Sequence, residues 1–165
     1  MAKLKGVFMK STINSLLSGK TLFPEYKKIV DEMKDDDWYS WDLYTKMLND
    51  ISGKLSPIVV KKVGKSIILA GKNVFINEQG YDSLEKLLKA YPQMHEKTIV
   101  GLHENEKLKL IKYEEGHMIL HHTTRQPKDF NEGVILGYFE MFNKRVRTFS
   151  IKQINEHYYE IDVTW

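Results

Sequence analysis

Three of the chain's six histidines stand close together, at His117, His121 and His122, and imidazole is the side chain best suited to proton transfer or metal binding near neutral pH. Read as a strand, His117 and His121 share one face with Ile119 between them, while His122 points to the opposite face with Met118 and Leu120. Strand residues four apart lie roughly 13 Å apart at their Cα atoms, too far to share one metal without a strong bend. Tetrahedral zinc also needs further ligands, and the chain has no cysteine. Hydrogen-bonded histidines on a half-buried sheet are therefore expected, and a metal ligand set is not.

Other catalytic patterns are missing. There is no Gly-x-Ser-x-Gly elbow. Gly64, Gly71 and Gly80 are too widely spaced to cradle a phosphate, and Gly19-Lys20 lacks the residues that precede it in a P-loop. His103-Glu104-Asn105-Glu106 shares two letters with a metalloprotease helix but sits in an expected turn, and Glu114-Glu115 reads as a solvated acid pair. Nothing points to an enzyme. Arg125 follows Thr123 and Thr124, with Lys128 and a helix start at Asp129 or Phe130 close behind. A guanidinium beside hydroxyls and free backbone N–H groups can hold an anion. The alternative is a strand-to-helix connection in which the threonines cap and Arg125 pairs with a surface acid.

The elements that must position these groups change character along the chain. Apolar residues recur at helical spacing in Lys5 to Leu17, ending at Gly19, and in a segment opened by Pro24 that carries Tyr26, Ile29, Val30 and Met33. Asp35-Asp36-Asp37 offers caps for a helix with Trp38, Trp41, Leu43, Tyr44, Met47 and Leu48. Ser56-Pro57 starts another, running through Ala70 towards Phe75, although Ile58-Val59-Val60 and Ile67-Ile68 also permit strands. Asp82 or Ser83 caps a short helix with Leu84, Leu87 and Leu88 that stops before Pro92.

Strands then take over, at Thr98 to His103, Leu108 to Tyr113 and His117 to Thr123, separated by polar breaks of the kind hairpins need. A capping-box-like Asp129 and Glu132 opens a helix over 129–143, and strands follow at Val146 to Ile151 and His157 to Val163. The expectation is one α+β domain over 1–165, mainly helical over 1–92, then an antiparallel sheet of four or five strands with one inserted helix.

Composition narrows the partners. Hydrophobic content of 42% and charged content of 28% are ordinary for a globular chain. The net charge of +3 comes from lysines interleaved with acids, whereas a nucleic-acid binder gathers its cations into a stripe. The N-terminus lacks the apolar core of a signal peptide, and no window approaches the roughly 18 apolar residues of a membrane span. A cysteine-free chain suits a reducing compartment, so a cytoplasmic protein is expected, with neither nucleic-acid nor membrane-spanning character.

From Asp82 to Ile151 the sequence resembles the haem–nitric oxide/oxygen-binding (H-NOX) domains, and more loosely a wider superfamily of ligand-binding domains in nitric oxide signalling and Golgi transport. The shared features are Tyr91-Pro92, strands leading to His121-x-Thr123-x-Arg125, and Gly133 early in the next helix; Lys5-Gly6-Val7-Phe8 is similar to the family's opening. The resemblance implies a helix carrying a haem-ligating histidine seven residues before Tyr-Pro, and a Tyr-x-Ser-x-Arg motif holding the haem propionates. Here the first position is Leu84, which offers iron no lone pair, and His121 and Thr123 replace Tyr and Ser while Arg125 is kept.

The resemblance therefore implies a non-enzymatic ligand-binding or regulatory domain without haem ligation of the family's kind. Its pocket would lie between the N-terminal helices and the sheet, walled by Trp38, Trp41, Phe75 and Leu84, with His121, Thr123 and Arg125 at the polar end. The ligand, a small molecule or a signalling protein, is left open. Two other readings stand beside it. One is a haem sensor of nitric oxide or oxygen using another axial ligand such as His95, which would leave from the strand side. The other is a protein–protein module, working as a homodimer or on another partner.

Overall fold

The computed structural model describes residues 1–16 and 19–165, so Leu17, the last apolar residue of the first expected helix, lies outside it. The order is β1 (Lys3–Lys5), α1 (Gly6–Asn14), α2 (Gly19–Leu22), α3 (Pro24–Asp31), β2 (Trp38–Ser40), α4 (Trp41–Lys54) and α5 (Pro57–Ala70). There follow α6 (Leu84–Thr98), β3 (Ile99–Val100), β4 (Lys109–Glu114), β5 (His117–Thr123), α7 (Lys128–Met141), β6 (Thr148–Gln153) and β7 (Tyr158–Thr164). The class is α+β, as the sequence suggests. A four-stranded antiparallel sheet in the order β4-β5-β7-β6 carries α7 as its inserted helix, and a small sheet in the order β2-β1-β3 joins the helical half.

Local rules explain most helix starts. Pro24 and Pro57 occupy first-turn positions, where a missing N–H is harmless. The hydroxyls of Ser40 and Ser83 accept from the backbone N–H groups of Leu43 and Lys86. The β4–β5 hairpin turns at Gly116, whose φ of +83° suits glycine.

Several expectations need correcting. Two short strands, β1 and β2, were not legible as such, and β2 displaces the helix start. Trp38 pairs with Lys5 in the small sheet, and Ser40, rather than Asp35 to Asp37, caps α4. The most consequential correction concerns Pro92. The helix does not stop there but runs on to Thr98. Proline inside a helix removes one backbone hydrogen bond, yet Tyr91, Met94, His95 and Ile99 on either side of it are all buried. Tertiary packing holds the helix through the break, and the expected Thr98–His103 strand shrinks to Ile99–Val100, which pairs with β1. At α7 no side chain caps the start, which follows Pro127, and Glu132 pairs instead with Lys61 of α5.

The α5–α7 seam is unusually close. A methyl group on Gly64 would collide with the Phe130 carbonyl, and one on Gly133 with the Lys61 carbonyl. Glycine is thus required on both helices at this crossing. The clamp fixes α7 against the helical half, and one continuous apolar core runs from α1 through α4, α6 and α7 to β5 and β7.

Candidate functional site

Carrying α6 past Pro92 changes what the core contains. Leu84, Leu88, Tyr91 and His95 follow at intervals of four, three and four, so they line one face of a single helix. On β5 the alternation places Met118, Leu120 and His122 inward and leaves His117, Ile119 and His121 only half-buried. The two buried faces meet, and they bring His95 against His122 with ring centroids 5.6 Å apart at 74°. The first is 8% exposed and the second 1%.

Aromatic rings surround the pair. Tyr91 lies 6.4 Å from His95 and 6.3 Å from His122, and its hydroxyl is 3.3 Å from His122 Nε2. Trp41, at the start of α4, sits edge-on to His95 at 6.4 Å. From α7, Tyr138 stacks edge-on to Tyr91 at 5.1 Å and in turn meets Phe75 at 5.8 Å. On the other side Tyr44 lies 5.8 Å from Trp41 and shares a hydrogen bond of 3.0 Å with the Thr12 hydroxyl.

Within this cage the indole Nε1 of Trp41, both ring nitrogens of His95 and Nδ1 of His122 are buried without a hydrogen-bond partner. Orphaned buried polar atoms are rare in folded proteins, and each is destabilising by about 1–3 kcal/mol. Desolvation pushes His95 down to about 4. His122 is also held well below the usual imidazole range, chiefly by burial and then by His95. The Thr123 main chain pulls the other way, without a well-formed hydrogen bond to the ring. Both imidazoles are therefore neutral at pH 7. Burial likewise raises the hydroxyls of Tyr91 and Tyr138, keeping them protonated.

The residues named from the sequence fall in different places. Leu84 is 5% exposed at the first turn of α6, and Trp41 and Phe75 belong to the aromatic array. Trp38 does not: it is 40% exposed on β2, with the Lys5 ammonium 4.7 Å above its ring. His121 faces away from the core, 3.4 Å from the Glu160 carboxylate on β7 and stacked on Tyr158. His117 makes the equivalent contact to Asp162 at 2.9 Å.

Thr123 is buried, and its hydroxyl accepts from the Arg125 N–H. The Arg125 guanidinium is already engaged, donating to Glu106 at 2.7 Å, Asp42 at 2.6 Å and the Thr45 hydroxyl at 3.2 Å. Arg125 thus ties α4 to the connections before β4 and after β5. Among the described residues no three histidines or acids converge. The surface grooves around Lys144 and Arg145, one lined by Phe139 and the other by Trp165, do not reach the histidines.

Comparison with known proteins gives a relationship in fold. A mutant of T. tengcongensis H-NOX superposes with a TM-score of 0.72 at 17% identity, over 98% of this chain and 97% of that one. An Fe(II) unliganded H-NOX mutant from K. algicida gives 0.73 at 12%, over 98% and 96%. The fold is H-NOX-like. An oxygen-binding H-NOX domain related to soluble guanylate cyclases also matches, with a TM-score of 0.68 at 14% identity over 96% and 91% of the two chains. No model of a known family matches the sequence, and no curated protein matches it. No helix among the described residues is long and apolar enough to cross a membrane.

In this H-NOX-like frame, sequence reasoning missed the partnership of His95 with His122. One signal was present: His122 shares its strand face with Met118 and Leu120, an odd place for an imidazole. The other, the four-residue spacing of Tyr91 and His95, was hidden by reading Pro92 as a helix end.

Proposed function

We propose that the chain is a non-catalytic, H-NOX-like regulatory domain whose ligand site is the buried imidazole–aromatic cluster, without haem ligation of the kind known in that family. One observation carries the reading: His95 and His122 face each other across α6 and β5 with three of their four ring nitrogens unpartnered. Such atoms in a buried core are stabilised by any ligand that gives them a partner.

Haem held in the family's manner does not fit the residues present. Leu84 offers no donor atom. Trp41, Leu87, Leu88 and Tyr91, each under 5% exposed, fill the space between α4, α6 and β5. Arg125 is taken by Asp42 and Glu106 rather than free for a propionate. Among the described residues no nucleophile stands beside an orienting base, which supports a non-catalytic role.

A second reading is favoured by the placement of His95 itself. It leaves from α6 rather than from a strand, and both its ring nitrogens lack partners, so it is a donor that could serve as an alternative axial ligand in a haem sensor. Haem titration separates the two. The proposal expects no Soret band at stoichiometric haem; a band that disappears in His95→Ala would establish the second reading instead.

A further inference from the structure

We infer that the His95–His122 pair is a binding site for a single copper(I) ion held between the two imidazoles. This rests on the reading of that cluster as the ligand site and names the class of ligand.

Geometry comes first. A metal–imidazole bond of roughly 2.0 Å puts the metal roughly 3.2 Å from the ring centroid. Two imidazoles on one ion then have centroids roughly 5.2 Å apart at a tetrahedral angle and roughly 6.3 Å apart when linear. The observed 5.6 Å falls between these limits, and the linear arrangement that two-coordinate copper(I) favours asks the rings to part by roughly 0.7 Å.

The free nitrogens are the right ones. With the proton of His122 on Nε2, donating to the Tyr91 hydroxyl at 3.3 Å, Nδ1 keeps its lone pair and has no other partner. Metal-binding imidazoles are ordinarily fixed in this way by a hydrogen bond at the second nitrogen, which makes Tyr91 a positioning residue. His95 can present either nitrogen, since neither is engaged.

Charge and ligand number select the ion. The cage is made of uncharged rings, Trp41, Tyr91 and Tyr138, and among the described residues no third histidine or acid joins the pair. Zinc would need four ligands and would bring two positive charges into a buried site. Imidazole suits copper, and copper(I) takes fewer ligands than zinc and carries one charge.

The test is an anaerobic titration of the full chain with copper(I) against bicinchoninate, with zinc in parallel. X-ray absorption at the copper edge reports the donor atoms. One equivalent should be withdrawn from the chelator and show two nitrogen neighbours. Binding should be lost in His95→Phe and His122→Phe, be about ten- to a hundredfold weaker in Tyr91→Phe, and be unchanged in His117→Ala and His121→Ala. Zinc should not compete. No copper retained by the folded chain would overturn the inference, as would sulfur neighbours at the edge or undiminished binding in a folded His122→Phe protein. If the phenylalanine variants do not fold, the edge spectrum of the native chain decides alone. Failure here, with haem also refused, leaves the proposed function standing; a haem spectrum that depends on His95 removes both.

Discussion

His95 on α6 and His122 on β5 hold their rings 5.6 Å apart, nearly perpendicular, in a core where neither is charged. Three of the four nitrogens have no partner, and the fourth meets the Tyr91 hydroxyl. An all-hydrocarbon core would be more stable here than a pair of unsatisfied imidazoles, so the pair weakens the fold unless something occupies it.

Acid should therefore unfold the metal-free protein through these two residues. Their folded-state pKa values are depressed, His95 to about 4 from an ordinary 6.5, so the unfolded chain binds more protons between those values. Stability is complete above pH 6.5 and falls as pH drops towards 4, by about 1.4 kcal/mol per unit for each imidazole. Thermal melts from pH 7.5 to 4.5 in the presence of a chelator should show this slope, and His122→Phe should flatten it. A slope identical in the variant would mean that the carboxylates alone govern acid stability.

The glycine seam gives a paired prediction. Gly133→Ala and Gly64→Ala force α5 and α7 apart and should destabilise the fold by about 1–3 kcal/mol each. Gly53 sits inside α4 with nothing within 4 Å of an added methyl, so Gly53→Ala should stabilise by about 0.5–1 kcal/mol. Urea melts of the three variants check both signs.

Arg125 should behave as a tie rather than as an open anion anchor. Arg125→Ala leaves Glu106, whose side chain is only 16% exposed, without its cation. A loss of about 1–2 kcal/mol is expected, while Asp42→Asn, at the more exposed contact, should lose less than about 1 kcal/mol. Isothermal titration with a dicarboxylate should give no heat with the native chain, and heat that vanishes in Arg125→Ala would show the guanidinium to be available.

Much of the scaffold is readable from residue pattern. The strand alternation around His117 to Thr123 and the Pro57 helix start are local signals, and the structure agrees with them. What is not readable depends on distant partners. Lys3 to Lys5 becomes a strand because Trp38 to Ser40 and Ile99 to Val100 flank it, and three-residue strands have no periodicity of their own. Pro92 reads as a stop by every local rule, yet α6 continues because Tyr91, Met94 and His95 are buried around it. The site suffered most from this. His121 looked like the functional histidine by motif, while His122 and His95 meet only when a helix that should have ended is carried one more turn into the core.

The absorption spectrum and native mass of the purified chain decide whether haem or a smaller ligand occupies the cluster. No Soret band and a mass free of haem are expected, with any excess over the polypeptide matching one small ligand or ion lost in His122→Phe. A stoichiometric haem mass with a Soret band that shifts on mutating His95 would contradict that expectation.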